Sequence, residues 1–87
     1  MRIIVGGIFL KTIMELLQET NKDADFEHSD DFVSDDLLDS MDIQMLAIAM
    51  EDEYHIKIDG TDLMPMNYTS VEAIRDLLRS HGVEGDI

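Results

Sequence analysis

Cysteine and tryptophan are absent from this 87-residue chain, and proline occurs once. Without a thiol there is no disulfide framework, no thiolate metal site and no cysteine nucleophile, and nothing demands an oxidising compartment, which suits the cytoplasm. Basic residues are scarce: six Lys and Arg against twenty Asp and Glu give a formal net charge of -14. Such a field repels nucleic-acid phosphates and anionic lipid surfaces, and it draws in basic protein surfaces, most strongly at low salt. Long apolar runs are also missing. The stretch "IIVGGIFL", Ile3 to Leu10, is far shorter than a membrane span, is followed by Lys11 and Glu15, and leads to no small-residue cleavage site. No membrane insertion is expected, and residues 1–7 read as a flexible lead-in. Eighty-seven residues bury one small core but cannot enclose a deep substrate pocket. Residues 1–87 are therefore expected to form a single domain, monomeric at this charge, that works through protein partners rather than as a self-sufficient enzyme.

What is present is helical patterning. Phe9, Ile13, Leu16 and Leu17 share one face, predicting a first helix from about Ile8 to Glu19, stopped at Asn21. Residues 23–42 hold nine acids and no lysine or arginine, a density that favours a long, solvated acidic loop, with Phe26, Phe32, Val33 and Leu37 as anchors to the core. A second helix should start at a cap on Asp39 or Ser40 and run to about Tyr54, burying Ile43, Leu46, Ala47, Met50 and Tyr54. Ile56 and Ile58 follow in an extended link, Asp59-Gly60 turns the chain, and Thr61 to Met64 suit one short helical turn before Pro65. A last helix is expected from a Thr69–Glu72 capping box to Gly82, with Val71, Ile74, Leu77 and Leu78 inward, and residues 83–87 as a frayed tail. The pattern predicts an all-α fold with no strand pair: a small bundle of three main helices plus one short helical turn.

One stretch asks for more than packing. In "DLLDSMDIQMLAIAM", Asp36 to Met50, a serine sits between two acids at a helix start, and Met41, Met45 and Ile48 point away from the core stripe. Ser40 as a helix cap and a second apolar face covered by the loop would each be unremarkable. Their coincidence at one helix end points to chemistry: an exposed hydroxyl, a helix N-terminus that favours an attached phosphate, and an apolar strip for a partner enzyme.

These residues also carry a resemblance. "LLDSMDIQMLAIAMEDEYHIKI" resembles the region around the attachment site of acyl carrier proteins, where Asp-Ser-Leu opens an amphipathic helix that ends in acids and an aromatic residue. "DDFV" and "DLMPMNYTSVEAIRDLL" resemble the flanking segments of stand-alone carriers, so the likeness runs from about Phe9 to Ser80. The resemblance implies that Ser40 accepts a 4'-phosphopantetheine arm from coenzyme A on a separate phosphopantetheinyl transferase, the arm then holding an acyl or aminoacyl group as a thioester. It implies that Asp39 holds the site geometry and meets the transferase. Asp42, Glu51 and Asp52 would offer charges to basic patches on acyl or aminoacyl ligases and synthases, Met41 and Ile48 would supply hydrophobic contacts with Met45 between them on the partner surface, and the carrier itself would catalyse nothing.

Three positions depart from the family pattern. Leu38 stands where a small residue is common, Met45 where fatty-acid carriers often place glutamate, and His55 at the helix exit where glycine, asparagine or aspartate is usual, although histidine tolerates positive φ. These departures lean towards a specialised lipid, polyketide or envelope pathway. Rival readings are weaker. An EF-hand in "DADFEHSDD" would have His28 in place of glycine and Ser34 in place of the bidentate acid. A serine hydrolase using His28, His55 or His81 would lack a glycine-flanked elbow. An acidic helical adaptor explains the charge and the apolar face but predicts no modification of Ser40.

Overall fold

The computed structural model describes residues 4–5 and 8–87, with side chains from Leu10 onward. Three α-helices form the bundle: α1, Ile13–Thr20; α2, Ser40–Tyr54; and α3, Val71–Ser80. These helices make a small α-helical bundle in which α1 packs on both α2 and α3.

The start differs from expectation. Ile4–Val5 (β1) pairs antiparallel with Ile8–Phe9 (β2), with Ile4 opposite Phe9. The rest of the expected 1–7 lead-in lies outside the described residues. The first helix thus begins at Ile13 rather than near Ile8, because Thr12 and Glu15 form a capping box: the Thr12 hydroxyl accepts the Glu15 N–H at 3.3 Å, and the Glu15 carboxylate accepts the Thr12 N–H at 3.1 Å. Leu10 is buried just before it, and the Tyr54 hydroxyl donates to the Lys11 carbonyl at 2.6 Å. That bond ties the entry of α1 to the exit of α2.

Between α1 and α2, residues 21–39 include one 3-10 turn, Phe26–His28, and pack through Phe26, Phe32 and Leu38, all buried. Phe26 and Phe32 meet edge to face at 5.0 Å, a favoured aromatic geometry. Phe32 is the pivot of this segment. Its N–H donates to the Thr69 carbonyl at 2.8 Å, and its carbonyl accepts the N–H groups of Leu37 and Leu38. The Asn21 side chain donates to the Leu37 carbonyl at 3.0 Å. The approach to Ser40 is therefore fastened from two sides.

Two 3-10 turns, Gly60–Leu63 and Pro65–Tyr68, stand where one was expected, and both pack on α2. Pro65 both ends the first, through its bias on Met64, and opens the second, where its missing N–H costs nothing. The cap of α3 is Ser70, whose hydroxyl accepts the Ala73 N–H at 3.0 Å, while Thr69 closes the preceding turn on the Met66 carbonyl. The expected Thr69–Glu72 box does not form, because the cap falls one residue later and places Ala73, which cannot reciprocate, at the third helical position, and Val71 is only half-buried where full burial was predicted. The tail also departs from expectation. Val83 and Ile87 are buried, and the Arg79 guanidinium donates to the carbonyls of Val83 and Gly85, so residues 83–87 fold back on the bundle.

Tyr68 is fully buried, and among the described residues its hydroxyl has no hydrogen-bond partner. Burial, with smaller contributions from the charges of Asp62 and Glu51, pushes its phenol up to about 12. A buried hydroxyl without a partner costs stability instead of adding it. Tyr68→Phe should therefore leave the unfolding free energy unchanged or raise it by up to about 1 kcal/mol in urea titrations. A loss of that size would show that the hydroxyl is satisfied in solution.

Candidate functional site

The site is built on the first turns of α2. Asp39 is the N-cap: its carboxylate accepts the Asp42 N–H at 2.8 Å, and the Asp42 carboxylate returns to the Asp39 N–H at 3.1 Å. Of the two cap candidates it is Asp39 that serves, which frees Ser40 from that duty. Ser40 is the first residue of α2, exposed, and its hydroxyl makes no hydrogen bond within the described residues. The first-turn N–H groups of a helix have no intrahelical acceptor, so an anion esterified at this hydroxyl would sit in a favourable field. An accessible hydroxyl on a fixed helix start fits phosphodiester attachment.

Reciprocal capping also defines a test. Asp39→Ala should cost about 1 kcal/mol of unfolding free energy, while Asp39→Asn should keep most of it, since asparagine caps as well as aspartate. Urea unfolding measures both, and an equal loss in the two variants would contradict the cap.

One apolar stripe leads away from Ser40. Met41, Met45 and Ile48 are 67 %, 50 % and 65 % exposed and, with the exposed Asp52, recur at the spacing of one helical face. The opposite face, Ile43, Leu46, Ala47, Met50 and Tyr54, is buried as the pattern required. Asp42, half-buried, sits at the head of the helix. Glu51 is placed differently from the other acids: its carboxylate accepts the Ile58 N–H at 2.7 Å and holds the link after α2 in place. Leu38 is 1 % exposed and anchors the chain immediately before the cap, which explains a large residue there. His55 adopts the left-handed conformation, φ 55°, and ends α2 as its C-cap.

The sequence reading overlooked Met64 and Met66. They are 52 % and 69 % exposed, and they flank Pro65 on the two turns that pack against α2. Their alternation around a proline was the available signal, since adjacent turns cannot bury both.

The histidines do not converge on the serine. His28 pairs with Asp25 at 2.8 Å and His81 with Asp62 at 2.9 Å. His55 lies at the far end of α2, roughly 22 Å from Ser40 along the helix axis. A cleft of about 400 Å³ beside Tyr54, His55 and His81 also lies at that end. Among the described residues, no three His, Asp or Glu side chains form a group able to hold a metal ion, and no helix is long and apolar enough to cross a membrane. Comparison with protein-family models, curated proteins and solved structures finds no match to this chain.

Proposed function

We propose that the chain is a carrier protein, bearing acyl or aminoacyl groups on a 4'-phosphopantetheine arm attached to Ser40 and delivering them to partner enzymes in the cytoplasm. The observation that carries this reading is the exposed, unbonded Ser40 hydroxyl at the start of α2, beside an exposed stripe of Met41, Met45 and Ile48. On the transferase, Ser40 Oγ attacks a phosphorus of the coenzyme A pyrophosphate. A new P–O bond forms to serine, the adenosine bisphosphate leaves, and the hydroxyl proton passes to a base of the transferase. The thiol of the attached arm supplies the thioester chemistry.

The partner surface follows from the same arrangement. Met41, Met45 and Ile48 offer an apolar centre for a contact, and Asp42 and Asp52 offer charge at its edge. The acidic loop between α1 and α2 and the net charge of -14 steer basic patches towards it. Glu51, already spent on the Ile58 N–H, contributes charge more than direct contact.

The test is intact-protein mass after incubation with coenzyme A and a broad-specificity phosphopantetheinyl transferase. A gain of a single phosphopantetheine group is expected. No gain on demonstrably folded chain, with more than one transferase, favours the acidic helical adaptor, with the α2 stripe as a docking face alone.

A further inference from the structure

Of the five large apolar side chains exposed among the described residues, four are methionine: Met41, Met45, Met64 and Met66. Leucine or isoleucine would supply similar apolar area. A thioether adds one property, for its sulfur takes up an oxygen atom from peroxide and the side chain turns from apolar to polar. The distribution of methionines is selective. Met50, on the same helix as Met41 and Met45, is 0 % exposed, and Met14 is half-buried against the core. Exposure therefore sorts them into a reactive set on α2 and the turns packed against it, and a shielded set in the bundle. The chain has no cysteine to intercept the oxidant.

We propose that Met41, Met45, Met64 and Met66 are reversible sulfoxidation sites, and that oxidation of Met41 and Met45 turns the α2 surface beside Ser40 polar and weakens partner docking while the bundle stays folded. The sulfur lone pair attacks one oxygen of hydrogen peroxide, an S–O bond forms as the O–O bond breaks, sulfur loses two electrons, and the peroxide is reduced to water. Methionine sulfoxide reductases for the two sulfoxide epimers, with a dithiol as reductant, return the thioether and release the oxygen as water. The docking clause rests on the carrier reading, whereas the sites of oxidation do not.

The experiment treats the full chain with hydrogen peroxide and follows each methionine by peptide mass. The four exposed methionines should convert at least about tenfold faster than Met50, whose sulfur is reached only when the bundle opens. Helicity by circular dichroism should hold, and the reductase pair should restore the mass. Phosphopantetheine transfer to Ser40 should fall roughly tenfold on oxidation and recover on reduction. Transfer to a variant with Met41→Leu, Met45→Leu, Met64→Leu and Met66→Leu should not change on peroxide treatment. Oxidation of Met50 as fast as the four, or an unchanged transfer rate with all four oxidised, overturns the proposal. If the unoxidised chain accepts no group from any transferase, the carrier reading fails separately. Retention on an apolar chromatographic surface then decides the proposal: reversible loss of retention on oxidation upholds the polarity change, and unchanged retention overturns it.

Discussion

Leu46→Ala is expected to lower the unfolding free energy by about 3 kcal/mol, within the range for leucine removed from a tightly packed core. Leu46 is 0 % exposed on the inner face of α2, in a cluster with Ile13, Met50 and Ile74, each also 0 % exposed. The deleted methyl groups lose their contacts, and rigid neighbours close the cavity only in part. In a chain this small such a loss takes a large share of a total stability of roughly 5–15 kcal/mol, and self-repulsion among so many carboxylates leaves less in reserve. Urea unfolding followed by far-ultraviolet circular dichroism measures it. A loss below about 1 kcal/mol would mean that α2 is not seated as described.

Ile48→Glu should do the reverse. The side chain is 65 % exposed, so stability should stay within about 0.5 kcal/mol of the native chain. The rate constant for modification of Ser40 at low carrier concentration should fall on the order of tenfold to a hundredfold, because a charge replaces an apolar contact at the centre of the stripe. Steady-state transfer assays at varied carrier concentration read this as a raised KM. An unchanged KM would remove the stripe from partner recognition. Together the two substitutions test a division between the faces of one helix, the inner supporting the fold and the outer the proposed recognition.

Much of this division was legible in the sequence. The inward positions of α2 follow directly from the spacing of Ile43, Leu46, Ala47, Met50 and Tyr54, and the outward Met41, Met45 and Ile48 follow by elimination. Local competition was harder to read. Phe9 fits the periodicity of a first helix, yet the Thr12–Glu15 box starts the helix later, because satisfying two free N–H groups outweighs one more apolar position. Thr69 and Ser70 are both competent caps, and periodicity does not choose between neighbours. The long-range ties were illegible for a different reason. Phe32 on the Thr69 carbonyl, Asn21 on the Leu37 carbonyl and Glu51 on the Ile58 N–H are side-chain or loop bonds with no sequence period. The packed tail belongs with them, since burial of Val83 and Ile87 depends on where Arg79 reaches after α3 has formed.

At the site, the sequence carried the candidate serine and the stripe, and the structure adds a backbone bond for Glu51 and two exposed methionines. Glu51 looked like its neighbour Asp52, and only the chain's return at Ile58 distinguishes an engaged carboxylate from an exposed one. Met64 and Met66 are exposed around Pro65, where the two turns pack on α2. That tertiary contact has no local signature.

The measurement closest to the central claim locates the added group. Native chain and Ser40→Ala are incubated side by side with coenzyme A and transferase, digested, and mapped by peptide mass with fragmentation. The account predicts one phosphopantetheine on the peptide bearing Ser40 and none on the variant, whose helicity is unchanged because Asp39, not Ser40, caps α2. A group found on another serine, or retained in Ser40→Ala, would contradict it.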